Sequence, residues 1–187
     1  MGWLSAGSAS YEVLRRGLME GISPCVNKNG GRIPRHLYLL PGGVAEVFQS
    51  TPGRNAIVFK SRFGLVKLAI ESGAELLPCY VFGGTDFFNN LATGDGFLSN
   101  LSRKWKMGIT FFSGYLGLPF LPFVPRITLC IAEPISIPGG KWKGEGKIPD
   151  DHPLIKQIHD EYISSIQKLF DKYKAAAGYP NAILEIL

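Results

Sequence analysis

Two glycines and a glutamate follow a short apolar run in the first third of the chain. Residues 37–50 read LYLLPGGVAEVFQS, in which Glu46 is the single charged residue. In open α/β sheets, ligands collect beyond the carboxyl ends of the strands. Glycines there admit a substrate closely and can turn backbone amides toward an oxyanion. Gly42 and Gly43 are therefore predicted to shape a substrate site in which Glu46 orients a hydroxyl or anchors the turn. The same spacing is also typical of a surface glutamate that opens a helix.

The elements that would position this turn alternate along the chain. Helical periodicity, with Gly73 and Gly178 as terminators, predicts helices at residues 8–19, 62–74, 97–106 and 151–177. Apolar runs bounded by turn residues predict strands at residues 36–40, 56–60, 75–82, 126–131 and 134–137. This alternation predicts an α/β layered domain with a mixed, partly parallel sheet flanked by helices. We expect residues 1–187 to form one such domain.

Composition excludes several classes of protein. The 187 residues are 45% hydrophobic and 12% aromatic, which allows a sizeable core and argues against disorder. A net charge of +5 suits a phosphate-bearing ligand or an anionic membrane, whereas no motif indicates nucleic-acid binding. Cysteines occur at Cys25, Cys79 and Cys130 without metal-site spacing, and the last two are expected to be buried free thiols. No signal peptide is visible in the opening residues.

Residues 107–125 form an uncharged stretch of 19 residues, MGITFFSGYLGLPFLPFVP. That length would suit a transmembrane helix, but prolines and glycines interrupt it, and an internal proline costs a helix about 3 kcal/mol. The stretch is therefore predicted to be an irregular, largely non-helical apolar flap within the domain. It would either pack on the domain or dip into lipid.

A longer run is similar to a known enzyme family. The segment PGGVAEVFQS…GRNAIVFKSRFGLVKLAIESGAELLPCYVFGGTDFF resembles the type-2 diacylglycerol acyltransferases, which carry a GGxxE turn followed by an RxGFxxLAxxxGxxLVPxxxFGE block. FFSGYLGLPFLPF resembles the family's flap, IAEPISIP its GEPI strand, and KLFDKYK with YPNAILEIL its C-terminus. The chain departs from the family pattern at Leu65, Gly84 and Ala132, where the family has Phe, Glu and Gly. The likeness covers nearly the whole chain.

The resemblance implies an O-acyltransferase of neutral-lipid synthesis. Such an enzyme transfers a fatty acyl group from acyl-CoA, a co-substrate, to a diacylglycerol hydroxyl, and no other cofactor and no metal is implied. It further implies a place at the cytosolic face of the endoplasmic-reticulum membrane, in contact with the membrane surface or a lipid droplet and not with nucleic acid. A wax ester or monoacylglycerol acyltransferase remains an alternative.

The family's general base is a histidine in a His-Pro-His-Gly motif upstream of the GGxxE turn, and these 187 residues do not contain that motif. His36 precedes Gly42 by six residues, or roughly 20 Å of extended chain, and His152 and His159 lie on or beside the expected last helix. No catalytic residue is therefore identified. We expect a domain incomplete at its N-terminus and inactive as this chain, which a missing N-terminal segment or a homo-oligomer would complete. The alternative is a non-catalytic lipid-associated or partner-binding protein that keeps the fold.

The resemblance also suggests which residues bind substrate. These are Gly42, Gly43, Glu46, Arg62, Phe111 and Phe112. Arg62, with Arg54, Lys60 and Lys67, could meet the phosphates of CoA, or these cations could be solvated on a helix face. The two phenylalanines, with other aromatics of the flap, could line an acyl pocket, lie in the membrane interface or pack in the core.

Overall fold

The computed structural model describes residues 37–90, 112–118, 121–140, 142–144 and 147–187, without the side chains of Val44, Phe48 and Asn90. Along these residues the elements follow in the order α1 (Gly43–Gln49), β1 (Asn55–Ile57), α2 (Gly64–Ser72), β2 (Cys79–Phe82), β3 (Asn89–Asn90), β4 (Phe112–Ser113), β5 (Thr128–Ile131), α3 (Pro153–Tyr173) and β6 (Leu184–Ile186). The helices expected at residues 8–19 and 97–106 lie outside the described residues, as do Cys25, His36 and Phe111.

Strand pairing is both parallel and antiparallel. β1 pairs in parallel with β6, so that Asn55 lies opposite Leu184 and Ile57 opposite Ile186. β2 pairs antiparallel with β5, and β3 antiparallel with β4. An isolated bridge joins Leu76 to Ile135 ahead of the β2–β5 pair. The predicted α/β class with a mixed, partly parallel sheet is therefore confirmed.

The two longer helices form where the apolar periodicity predicted them. In α2, Val66, Ala69 and Ile70 are buried, and Gly73 ends the helix in the left-handed conformation with φ 71°. In α3, His152 caps the first turn by accepting a hydrogen bond at Nδ1 from the Leu154 amide, and Pro153 occupies a first-turn position.

The core lies between α3, α2 and the β2–β5 pair. Phe59, Phe82, Phe170, Ile70 and Ile158 are among its most completely buried side chains. The rings of Phe82 and Phe170 stack with centroids 5.1 Å apart. Burying a side chain of this kind contributes about 1.5–3 kcal/mol, so this contact between two aromatic rings helps to fix α3 on β2.

Three strand predictions need correction. The strand expected at residues 36–40 is wrong, because residues 37–40 have no strand pairing within the described chain and leave Tyr38 and Leu40 exposed. The strand expected at residues 75–82 is paired only at Leu76 and from Cys79 onward, since the intervening Pro78 has no amide proton to donate. Residues 134–137 contribute only the bridge at Ile135, between two prolines.

The described thiols are free. Cys130 is buried, as predicted, whereas Cys79 is only partly buried, and desolvation raises the pKa of both thiols. In residues 112–118 and 121–125, the described part of the flap, β4 is followed by one 3₁₀ turn at Tyr115–Gly117, and no α-helix occurs.

Candidate functional site

Gly42 and Glu46 are in direct contact at the start of α1. Gly42 is the N-cap of the helix, with φ −70° and ψ −28°, a backbone conformation open to any residue. A side chain here would nevertheless collide with Glu46, since a methyl group on Gly42 would lie 2.5 Å from the Glu46 carboxyl carbon. The glycine is therefore required because the Glu46 side chain folds back over its Cα.

Gly43 is required for a different reason. Its φ of 54° lies in the left-handed region, where a residue with a side chain is strained. A methyl group on Gly43 would be 4.0 Å from Arg62 Nη1, so the guanidinium of Arg62 lies above this glycine. The structure thus brings together Gly42, Gly43, Glu46 and Arg62, four of the six residues to which sequence analysis assigned substrate binding.

Glu46 is half-buried at the carboxyl end of β1. Its carboxylate accepts a hydrogen bond from the backbone amide of Val58, the residue after β1. Desolvation raises the pKa of Glu46, while the Val58 hydrogen bond and the charge of Arg62 lower it in part. The Glu46 carboxylate is therefore a hydrogen-bond acceptor that is partly shielded from water and lies near the cation of Arg62.

Two tyrosines whose pKa values respond to the charge of Glu46 were missed by sequence analysis. Tyr80, on β2, donates a hydrogen bond to Oδ1 of the buried Asn55 at 2.9 Å. Burial raises the pKa of Tyr80, and the negative charge of Glu46 adds to that effect. Burial and nearby groups, Glu46 among them, raise the pKa of Tyr162 on α3 to about 12. Tyr80 could have been noticed as a hydroxyl-bearing residue inside an otherwise apolar strand.

The aromatic members of the predicted site are not brought to Glu46 by any described contact. Phe112 is half-buried in β4, and its ring packs on Phe88 with centroids 5.6 Å apart. The loop preceding Phe88 is tied to the amino end of β1, where Asp86 accepts a hydrogen bond from the Gly53 amide. Glu46 lies at the opposite end of that strand. Phe111 lies outside the described residues.

Two of the four cations suggested for CoA phosphates are engaged in ion pairs. Arg54 forms a forked hydrogen-bonded pair with Glu185 on β6, with an Nη2–Oε2 distance of 2.7 Å. Lys67 contacts Asp150 at 2.7 Å. Lys60 and Arg62 are exposed in the loop between β1 and α2, so they are better placed than the other two to meet an anion.

The described histidines have structural positions. His159 is buried, its Nε2 donates to the Phe59 carbonyl oxygen at 3.0 Å, and its ring stacks on Phe59. His152 caps α3 and contacts the edge of Trp142. His159 therefore acts as a core residue and His152 as a capping residue.

The described cavities do not coincide with this cluster. A groove of about 700 Å³ runs along α3 and β6, and another of about 550 Å³ lies between the loop preceding α2 and the start of α3. Lys60 and Phe63 line the smaller groove, but none of the four clustered residues lines either. No group of metal-ligating side chains occurs in the described part of the chain. Substrate binding by Gly42, Gly43, Glu46 and Arg62 therefore remains a prediction.

Comparison with known proteins identifies the family. A family model described as diacylglycerol acyltransferase matches residues 18–186. The chain belongs to the diacylglycerol acyltransferase family. Among relatives, human diacylglycerol O-acyltransferase 2 is 32% identical over 97% of this chain and 50% of its own length. The Xenopus tropicalis protein of the same name is 30% identical over 97% of this chain and 54% of its length. Mouse diacylglycerol O-acyltransferase 2-like protein 6 is 36% identical over 76% of this chain and 44% of its length.

The chain spans about half the length of these curated acyltransferases. No solved structure matches it significantly. Within the described residues of this family member, no helix is both long and apolar enough to cross a membrane.

Proposed function

We propose that this chain takes part in transferring a fatty acyl group from acyl-CoA to the free hydroxyl of diacylglycerol. The hydroxyl oxygen would attack the thioester carbonyl carbon, the carbon–sulfur bond would break, and the products would be a triacylglycerol and free CoA. The hydroxyl proton would pass through a general base to the departing thiolate. Membership of the diacylglycerol acyltransferase family and the names of the relatives support this reaction.

The observation that carries the proposal is the position of the Glu46 carboxylate, folded over Gly42 and beside Arg62. In the proposed site Glu46 accepts a hydrogen bond from the acceptor hydroxyl and so orients its oxygen toward the thioester. Arg62 is exposed and free to approach a phosphate of CoA, for which its planar fork is suited. Gly42 leaves room for the Glu46 side chain to fold over the backbone, and Gly43 adopts the left-handed conformation that begins α1 beside Arg62.

The proposed general base comes from outside these 187 residues. The His-Pro-His-Gly sequence that the family resemblance implies does not occur in them. Among the described histidines, His159 Nε2 is committed to the Phe59 carbonyl and His152 Nδ1 to the Leu154 amide. We therefore expect this chain alone to make no triacylglycerol. In the cell it would act at the cytosolic surface of the endoplasmic reticulum or at a lipid droplet, where its acceptor is found.

A fusion tests this proposal. The half of human diacylglycerol O-acyltransferase 2 that this chain does not match is joined to residues 1–187 and expressed in a host unable to make triacylglycerol. Microsomes are supplied with acyl-CoA and diacylglycerol. The chain alone should stay at background, and the fusion should form triacylglycerol.

Two variants of the fusion make the test specific. Glu46→Gln should lower the rate about 10²-fold, the scale of a lost orienting contact, while Glu161→Gln, an exposed glutamate on α3, should leave it unchanged. Full activity of Glu46→Gln would show that Glu46 does not orient the acceptor hydroxyl. An inactive fusion that folds and reaches the membrane would favour the non-catalytic alternative.

A further inference from the structure

The flap ends in a hydrogen-bonded tip that displays apolar side chains. The Gly114 amide donates to the Leu118 carbonyl at 2.9 Å and the Tyr115 amide to the Leu121 carbonyl at 2.7 Å. Gly114 is buried against the Leu121 carbonyl group, so a side chain at this position would push the two ends of the tip apart. These two hydrogen bonds tie Gly114 and Tyr115 to Leu118 and Leu121, so the described residues of the tip are held together.

The side chains at the tip point into solvent. Leu116 is 80% exposed and Val124 is 97% exposed, and Tyr115, Leu118 and Leu121 are exposed as well. None of the described residues in 112–118 and 121–125 carries a charge. Phe112, by contrast, is turned toward Phe88. The surface presented by the flap is thus made of leucine, valine and tyrosine and not of the phenylalanine at 112.

Leu116 adds an independent observation. It is the only residue other than glycine in the described chain with a positive φ, at 57° with ψ 20°. Glycine or asparagine would adopt this conformation with less strain. Strained backbone that persists in a fold is often retained for function. Its exposed side chain is unfavourable in water, and contact with an apolar medium would remove that cost and offset the backbone strain.

We infer that the tip, defined as Tyr115–Gly117 with Leu118, Leu121 and Val124, inserts into the interfacial region of a lipid surface. Five exposed apolar side chains form a small surface, which suits lipid better than a protein partner, since a stable protein interface buries about 800 Å² on each side. Tyrosine next to leucines is typical of groups that lie at the boundary between headgroups and acyl chains. The inference deepens the proposed function by naming the surface that meets lipid, and it rests on that proposal for the choice of partner.

The mode of contact follows from the uncharged tip. Insertion would depend on apolar area and not on attraction to anionic headgroups. Binding to vesicles of phosphatidylcholine should therefore persist when the salt concentration is raised, whereas purely electrostatic binding would be screened.

Flotation of the full chain with phosphatidylcholine vesicles tests the inference. Leu116→Asn should lower the vesicle partition coefficient about tenfold, because one large apolar side chain is lost from the inserted surface. The same substitution should raise the melting temperature without lipid, because asparagine relieves the left-handed strain. Ile183→Asn is the matched control, since Ile183 is 76% exposed but lies near β6, and it should float like the unchanged chain.

Several outcomes would overturn the inference. Equal flotation of the unchanged chain and Leu116→Asn would do so, as would an equal loss in Ile183→Asn, or no flotation of the unchanged chain at all. If Leu116→Asn changed the elution volume of the chain in gel filtration but not its flotation, the tip would contact a second copy of the chain and not lipid. Acyl transfer by the fusion enzyme is measured separately. If the fusion were active but the 187-residue chain did not bind vesicles, this inference would be wrong and the proposed function would be unaffected.

Discussion

The Glu46 carboxyl group lies in the space that a side chain on Gly42 would need. We predict that Gly42→Ala lowers the free energy of unfolding by about 1–3 kcal/mol, the cost of forcing extra atoms into filled space. Gly64→Ala is the matched control, because a methyl group at Gly64, in the first turn of α2, would meet nothing within 4 Å. That variant should be neutral or stabilised by up to about 1 kcal/mol. Urea unfolding measures both, and equal effects would mean that Glu46 does not fill this space.

At Gly43 the glycine is required for its backbone conformation and not for space, so a different pattern of stability changes is predicted. Because its requirement is the left-handed backbone, Gly43→Ala should cost about 1–2 kcal/mol. Gly43→Asn should cost less, since asparagine adopts this conformation more readily than alanine. The comparison is again made by urea unfolding. If asparagine proved worse than alanine, space beneath Arg62 and not backbone conformation would be the reason for the glycine.

Sequence analysis succeeded where local physics decides the outcome. Apolar periodicity located α2 and α3, and the glycine after α2 was rightly read as a terminator, because both features depend on neighbours within a few turns. The strand at residues 36–40 failed, because strand formation needs a partner that an apolar run cannot supply by itself. Leu40 remains 64% exposed as a result.

In the candidate site, too, the features set by neighbouring residues could be predicted and those set by distant residues could not. The GGxxE spacing predicted that Gly42, Gly43 and Glu46 act together, and their proximity follows from one turn of chain. The two tyrosines influenced by the Glu46 charge lie on β2 and α3, far from it in sequence, so only the packing of the core reveals them. Phe112 was assigned to the site through the family resemblance, whereas its ring packs on Phe88, beside the two-residue strand pair of β3 and β4.

The raised pKa of Glu46 predicts a pH dependence of stability. In the folded state this carboxyl holds its proton more tightly than at its ordinary pKa of 4.5. Its contribution to stability is therefore fully present below pH 4.5 and is lost as pH rises through the folded-state pKa. The melting temperature of the unchanged chain, relative to that of Glu46→Gln, should fall with increasing pH across this window.

Glu185 provides the control of opposite sign. Its hydrogen bond from Arg54 lowers its pKa, so its contribution is present above its ordinary value of 4.5 and lost as pH falls through the folded-state pKa. The unchanged chain, relative to Glu185→Gln, should thus lose stability toward acid. Parallel pH profiles for the two variants would contradict the burial assigned to Glu46.

The two described histidines should differ in their effect on stability. His159→Ala removes a buried ring and the donor to the Phe59 carbonyl, and it should cost about 2–4 kcal/mol. His152→Asn should stay within about 0.5 kcal/mol, because asparagine also caps a helix. Loss of acyl transfer by a stable His152→Asn fusion enzyme would show instead that this histidine takes part in the reaction.

Tyr179 is predicted to fix the loop between β2 and β3. Its hydroxyl donates to Asp86 Oδ2 at 2.7 Å, while Asp86 Oδ1 accepts from the Gly53 amide at 3.2 Å, so one carboxylate joins the C-terminal segment, the loop after β2 and the start of β1. Tyr179→Phe keeps the ring stacked on Phe82 and removes only the hydrogen bond. Hydrogen bonds to a charged group contribute about 1.5–3 kcal/mol, and partial exposure should bring the loss to the lower end of that range. Hydrogen exchange at the Gly53 amide should then become faster in Tyr179→Phe. The Leu187 amide is the control, because it donates to the Ile57 carbonyl oxygen at the far end of β1, and its exchange rate should not change. Unchanged exchange at Gly53 would mean that Asp86 holds this loop without the tyrosine.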